Sequence, residues 1–415
     1  VTLVYVIAGE ASGDVLGARL IAAMRRRRPD LTFAGVGGPR MAEQGVASLF
    51  PMQEIALMGF VEVLPRVLQV RRRIAQTVDD IARLRPAAVV TIDIPGFAMR
   101  VLKRIAPLGI ARVHYVAPTV WAWRPGRVRR YPGLFDDLLC LLPFEPEFFH
   151  AHGVPARFVG HPVLESGADR GDAARFRARH DIPPDATLLT VMPGSRRHEI
   201  KRLPPIFGAA LRQLSTAIPG LVPVVPVASP VADAVRAATA EWTPRPILVT
   251  DEDDKHDAFA ASAAALVKSG TSTLEVAMAG KPMVVAYRGN ALTVAIIRRL
   301  VRVRFASILN LLPDREIVPE LLQENCTPER IVATLLPLLT DPQAARAQCD
   351  AYAAQLARLR PPEGLPSDAA AQAVLSLLAR DVPVHSPVSV DSTGEPDRVS
   401  ATQNEPGGMA HGRTA

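Results

Sequence analysis

Cysteine is scarce. Cys140, Cys326 and Cys349 are the three in 415 residues, far apart and odd in number. That pattern gives neither a disulfide framework nor a metal-binding cluster, and it suits a reducing cytoplasm. Long apolar runs are missing too. No stretch reaches the roughly 18 consecutive apolar residues that read as a membrane-spanning helix, so membrane contact is expected to be peripheral. No charged n-region with a cleavage site precedes the apolar run that begins at Leu3, and no signal peptide is expected. Aromatic residues make up only 5% of the chain, too few for an aromatic-studded basic repeat. RNP motifs and zinc-finger spacings are also absent, so nucleic acid is not an expected partner.

The chain does have apolar residues, at 48%, enough to bury real cores, and arginine, which gives a net charge of +7. At roughly 100–200 residues per domain, two domains are the first expectation. The arginines cluster at Arg25 to Arg28, Arg71 to Arg73, Arg127 to Arg130 and Arg298 to Arg304. Such an excess suits nucleic acid, anionic lipid or phosphorylated substrates, and any one cluster reads equally well as a solvated helix face. From about His385 the sequence turns to Pro, Ser, Thr, Gly and Asp with few large apolar groups. Such a segment does not offset its ordering entropy, and 384–415 is expected to be a disordered tail.

Between these limits, short apolar runs alternate with helical patterns. Strand-like runs are Leu3 to Ala8, Phe33 to Val36, Ala88 to Ile92, Arg112 to Val116 and Leu138 to Leu142. A second series is Leu188 to Val191, Leu221 to Val227, Ile247 to Thr250, Ala264 to Val267 and Met283 to Ala286. Continuous apolar strands spaced by helices mean parallel sheets covered on both faces. Two series predict an α/β protein of two doubly wound, Rossmann-like domains facing across a cleft, at 1–163 and 164–345. Helical patterns at Ile331 to Leu339, Ala351 to Leu359 and Ala369 to Leu378 follow, with Pro337 threatening the end of the first. Residues 346–383 are expected as C-terminal helices that pack back on the first domain. In open α/β sheets ligands bind outside the carboxyl ends of the strands, so the residues just after each strand matter most.

Five such segments carry chemistry. After the first strand comes Gly9-Glu10-Ala11-Ser12-Gly13-Asp14, whose glycines allow close approach of a ligand at a helix N-terminus; a tight turn capped by Asp14 is the plainer alternative. Asp93 ends a strand before Pro95-Gly96, which places a carboxylate where a general base would stand, or simply caps the turn. Trp121, Trp123, Arg124 and Arg127 share one loop, suited to covering a sugar or acyl chain while holding phosphate, or to core packing. Pro193-Gly194-Ser195-Arg196 presents an arginine fork at a strand end. Lys268-Ser269-Gly270-Thr271-Ser272-Thr273-Leu274-Glu275 opens a helix: Ser272 and Glu275 have capping-box spacing, while exposed N–H groups and hydroxyls suit a phosphate and Glu275 a ribose. The last two segments lie in one domain and together suit a nucleoside diphosphate without a metal or other cofactor.

These segments occur in order with Met58-Gly59-Phe60-Val61-Glu62-Val63-Leu64, the string His114-Tyr115-Val116-Ala117-Pro118-Thr119-Val120-Trp121-Ala122-Trp123-Arg124, Leu142-Pro143-Phe144-Glu145, Phe158-Val159-Gly160-His161-Pro162 and Asn310-Leu311-Leu312. The set closely resembles the lipid-A-disaccharide synthase family over roughly residues 3 to 380. It departs at Gly96-Phe97, where family members often carry Asp-Phe.

The resemblance implies an inverting GT-B glycosyltransferase. UDP-2,3-diacylglucosamine would be the donor, and 2,3-diacylglucosamine 1-phosphate (lipid X) the acceptor. The product would be the β-1,6 disaccharide 1-phosphate, with UDP released. It implies Asp93 as the base and Arg196 as a donor-phosphate contact; Glu10 is the alternative base. Gly194, Ser195, Ser269, Gly270, Thr271, Ser272, Thr273 and Glu275 complete the expected donor side. Gly9, Ser12, Gly13, Trp121, Trp123, Arg124 and Asn310 form the expected acceptor and sugar side. The apolar run from Ile55 to Val61, above all Met58 and Phe60, with Arg71, Arg72 and Arg73 behind it, is expected to hold the cytoplasmic face of the inner membrane of a Gram-negative bacterium; packing inside the first domain is its alternative. A homodimer is left open. Rival readings are an enzyme like UDP-N-acetylglucosamine 2-epimerase, which shares this architecture, and a non-catalytic lipid- or nucleotide-binding protein.

Overall fold

The computed structural model describes residues 2–55, 63–290 and 303–379, with 294 and 301 besides. Met58, Phe60, Arg298, Arg299, Arg302 and the tail 384–415 lie outside the described residues.

Among the described residues the strands form two parallel six-stranded sheets. The first holds β1 (Thr2–Ala8), β2 (Leu31–Val36), β3 (Ala88–Ile92), β4 (Ala111–Tyr115), β5 (Asp137–Cys140) and β6 (Ala156–Phe158) in the order β2-β1-β3-β4-β5-β6. The second holds β7 (Thr187–Met192), β8 (Leu221–Pro226), β9 (Ile247–Val249), β10 (Ala264–Lys268), β11 (Met283–Tyr287) and β12 (Glu320–Leu322) in the order β12-β11-β10-β7-β8-β9. Both orders reverse direction at an inner pair, β1 and β3 in one sheet, β7 and β10 in the other. A crevice opens at such a switch point because the flanking connections leave to opposite faces. Register puts Ala8 beside Ile92 and Met192 beside Val267. Gly9 and Asp93 therefore leave their strands side by side, and so do the turns after Met192 and Lys268.

The strands form because apolar residues fill both faces. Tyr5, Ile7 and Val89 join one core, while Val4, Val6, Val90 and Ile92 join the core behind. The second sheet repeats this, with Leu189, Val191 and Leu266 on one side and Leu188 on the other. A further cluster joins Leu142, Val163 and Ala168 to Val267, Leu274, Leu309, Tyr352 and Leu359, so apolar packing is continuous between the two halves. β6 and β12, three residues each, were not anticipated; a triplet is too short to show a period.

The C-terminal helices divide. Pro342–Arg358 packs with the helices of the second sheet, and Gln348 bonds the backbone of Met283. Pro366–Leu378 crosses to α1 (Ala11–Arg27), where Asp368 pairs with Arg26 and Arg27 and Ala370, Ala371 and Val374 enter the first-sheet core. Pro337 does not end its helix, which runs Pro328–Thr340.

Candidate active site

The first switch point is built by β1, α1 and β3. Glu10 is the half-helical residue before α1. A Cβ on Gly9 would lie 2.7 Å from the Ile94 side chain, so the glycine lets the two pack closely. Gly13 has ordinary clearance, 3.5 Å to Ala8, and Ser12 is exposed beside it. Asp14 does not cap its own helix. Its carboxylate accepts from the backbone N–H groups of Gly38, Arg40 and Met41 at 2.7, 2.9 and 3.0 Å, which caps the neighbouring helix α2 (Pro39–Glu43).

Asp93 and Ile94 have φ of +54° and +42°. Asp tolerates the left-handed region; a β-branched Ile in it is an outlier that only the surrounding structure maintains. The Asp93 N–H bonds Tyr115 O at 2.9 Å, and Ile94 is packed beneath Gly9. The chain thus turns abruptly from β3 into α4 (Pro95–Ile105), leaving Asp93 at the carboxyl end of the sheet. Burial raises its pKa, opposed by the Ile94 N–H and by Arg196. The pKa of Glu10 is raised by burial and then by Asp93, again opposed by Arg196. Glu10 and Asp93 thus share one field, and the positive charge of Arg196, after β7, favours the ionised form of both.

The loop after β4 separates its two tryptophans. The Trp121 N–H donates to Glu145 Oε1 at 3.0 Å, and its ring meets Phe144 edge-on at 4.8 Å. Glu145 is buried, also accepts from Leu141 and Leu142, and has its pKa pushed up to about 7 by that burial. Trp121 is thereby an anchor of the loop, with its polar atom already used. Trp123 is 36% exposed, with the guanidinium carbons of Arg124 and Arg127 at 4.6 and 5.4 Å from its ring centroid. It offers an apolar face under cationic groups.

On the second sheet, Gly194 has φ +119°, and a Cβ there would meet Glu199 Oε2 at 2.3 Å. That oxygen accepts the N–H groups of Ser195 and Arg196 at 3.0 and 3.2 Å, leaving their side chains exposed at the turn. The turn after β10 contradicts the capping box. Thr271, and not Ser272, precedes α12 (Ser272–Met278), and Glu275 Oε1 accepts from Lys255 at 3.1 Å. Thr273 is buried and bonds Gly270 O through its hydroxyl, so it faces inward. A cleft of about 210 Å³ lies between these turns, lined by Gly194, Ser195, Ser272 and Glu275 together with Lys255 and Lys268. Arg196, Ser269, Gly270 and Thr271 lie outside its lining.

Asn310 does not belong to this site. It is fully buried; its amide donates to Val318 O and Glu320 Oε1 at 2.8 Å and accepts from Ile317 and Val318 at 2.7 and 2.8 Å. No hydrogen-bonding capacity is left for a ligand. Arg73 is likewise engaged: it pairs with Glu54 at 2.7 Å and lies over Phe50. Arg71, Arg72 and Leu68 remain exposed on α3 (Val63–Leu84).

The sequence reading missed Glu199, Lys255 and the cleft walls at Pro226–Ala228 and Val249–Glu252. The signal was there for most of them, since these walls also end strands. No motif drew attention to them.

The chain's relatives bear on this geometry directly. The family profile described as lipid-A-disaccharide synthetase matches residues 4–374. A lipid-A-disaccharide synthase of Granulibacter bethesdensis is 56% identical over 91% of this chain and 99% of its own. One of Gluconobacter oxydans is 53% identical over 92% of each. The chain belongs to the lipid-A-disaccharide synthase family. It is accordingly a glycosyltransferase of lipid A biosynthesis. Solved structures agree on the fold. UDP-N-acetylglucosamine 2-epimerase of Neisseria meningitidis, bound to UDP-GlcNAc, superposes with a TM-score of 0.58 at 13% identity, covering 91% of this chain and 99% of that one. The calicheamicin glycosyltransferase CalG4 does so at 0.56 and 15%, covering 92% and 99%. The epimerase likeness is one of GT-B architecture alone, whereas the synthase likeness extends through the sequence.

Proposed function

We propose that the protein transfers 2,3-diacylglucosamine from UDP-2,3-diacylglucosamine to the 6-hydroxyl of 2,3-diacylglucosamine 1-phosphate. The single observation that carries this reading is the strand order, which sets Glu10 and Asp93 at the switch point of the first sheet and the turns at Ser195 and Ser272, with the cleft between them, at that of the second. Each sheet thereby opens a crevice, one beside a carboxylate pair whose pKa values are raised, the other lined by Lys255 and Lys268 as well as Glu252 and Glu275.

In this reading the uridine diphosphate lies in the cleft of the second sheet. Arg196, Ser195 and Ser272 stand at its phosphates, with Ser269, Gly270 and Thr271 behind them, and Glu275 at the ribose. The acceptor lies over Ser12 and Gly13, with Trp123 and Arg124 at its sugar or phosphate. Asp93 takes the proton of the acceptor hydroxyl as its oxygen bonds the anomeric carbon. The bond from that carbon to the diphosphate oxygen breaks on the opposite face, inverting the configuration. UDP leaves with the electron pair, its growing charge met by Arg196. Glu10, whose own pKa is raised by burial and by Asp93, is the alternative base. Leu68, Arg71 and Arg72 belong to the surface that meets an anionic bilayer, and among the described residues no helix is long and apolar enough to cross one.

The test is incubation of purified protein with the diacylated UDP-sugar and lipid X. Equal yields of UDP and disaccharide, each dependent on both substrates, are expected. Epimerised UDP-sugar without acceptor consumption would support the rival enzyme, and binding without turnover the non-catalytic reading.

A further inference from the structure

Lys255, Glu252 and His256, which the reading above does not use, gather around Glu275. Lys255 projects from α11 (Glu252–Ala261), the helix after β9. Its ammonium lies 2.6 Å from Glu252 Oε1 and 3.1 Å from Glu275 Oε1, bridging α11 to α12, and its side chain is 15% exposed. His256, one residue on, is buried; its Nε2 has no hydrogen-bond partner and lies 3.6 Å from the same Glu252 oxygen.

Without the lysine, Glu252, His256 and Glu275 are a metal-ligand set: their three ligand atoms lie within 4.8 Å of one another. One imidazole and two carboxylates suit zinc or cobalt. A buried polar atom left without a partner is the kind of feature an ion explains. Here the ion's place is taken, since the Lys255 ammonium touches both carboxylates. An ammonium is a compact charge with three donors, and two of them are satisfied by these oxygens.

We infer that Lys255 is the built-in cation of the donor cleft, a positioning residue that fixes Glu275 toward the nucleotide in the place where a divalent metal would otherwise bind. The inference rests on the cleft's being the nucleotide site. Glu275 is one turn into its helix, with three rotatable bonds between backbone and carboxylate. Tied to Lys255, which is itself held by Glu252, it is presented to a ribose already oriented. Without that tie it would meet the ribose only at the cost of its own freedom and of repulsion from Glu252.

The test compares wild type with Lys255→Met and Lys255→Arg, measuring UDP affinity by calorimetry, melting temperature, and the visible absorption of added Co²⁺. Lys255→Gln is the second neutral variant should Lys255→Met fail to fold. Wild type is expected to bind UDP and to show no ligand-field spectrum. Lys255→Met should bind UDP about ten- to hundred-fold more weakly, the loss of a charged hydrogen bond. It should also gain a Co²⁺ spectrum that His256→Ala in the same background abolishes, and saturating Co²⁺ should restore part of the UDP affinity. Lys255→Arg should keep most of that affinity. A merely structural lysine would lower the melting temperature without any metal-dependent rescue, and that result would overturn the inference. So would unchanged UDP affinity in a folded Lys255→Met protein, or stoichiometric cobalt on the wild type. Wild type that binds no UDP would instead refute the nucleotide site, and this inference with it.

Discussion

The carboxylate of Glu199 lies 3.1 Å from the ammonium of Lys268, so one ion pair ties the turn after β7 to the last residue of β10. The other Glu199 oxygen holds the Ser195 and Arg196 N–H groups. A single buried side chain thus sets both turns of the second switch point. It also removes two backbone donors from any bound diphosphate, which leaves recognition there to side chains.

Glu199→Ala should therefore act on stability and donor binding together. It leaves two N–H groups and Lys268 without their acceptor, at a cost of about 3–5 kcal/mol for a broken buried pair. Thermal unfolding measures the first effect and the donor KM the second. A variant with wild-type melting and KM would show that the turn holds itself. Gly194→Ala should resemble it: φ of +119° is strained for any side chain, and the Cβ would strike Glu199.

The two tryptophans should separate structure from binding. Trp121→Phe removes the donor to a buried carboxylate and should cost about 1.5–3 kcal/mol of stability. Trp123→Ala should leave melting nearly unchanged, since the ring is 36% exposed, and should raise the acceptor KM. Equal melting in both variants would contradict this division.

The sequence carried the fold because its strands are buried on both faces. Runs such as Leu138 to Leu142 are apolar throughout, which marks a strand covered on both faces. It also put Asp93 and Arg196 just after strands, and the strand order sets those strand ends at the two switch points. It failed where one side chain has two plausible partners. Asp14 has the position of a self-cap and caps α2, since Gly38 begins a helix within its reach. Ser272 and Glu275 have capping-box spacing, but Lys255 outcompetes a backbone N–H for the carboxylate. Asn310 stands in a family motif and serves its own loop. Sequence spacing records local partners; these three were decided by partners elsewhere in the fold.

Asp93→Asn should lower kcat by about 10²–10⁴-fold with UDP affinity nearly intact. The amide keeps the turn and loses the base. Asp93→Glu should recover little, because a displacement of about 1 Å is enough to disrupt catalysis. An Asn variant with close to full turnover would assign the proton transfer to Glu10.

The acid limb of the pH profile gives the last test. Burial raises the pKa of both carboxylates, and for Glu10 the charge of Asp93 adds to it. A base works only when ionised, so kcat/KM should fall as pH drops through an apparent pKa above the ordinary carboxylate range of about 4. Because the two groups interact, that value belongs to the pair. Arg196 opposes the shift in both residues by favouring their charged forms. Removing it should raise the pair's pKa further and move the limb to higher pH, apart from any loss in overall rate. Arg196→Ala, profiled beside wild type, should show this displacement, while Arg196→Lys, which keeps the charge, should largely cancel it. A limb that stays in place when the guanidinium is removed would mean that Arg196 does not reach the base in solution, and the two switch points would then not form one site.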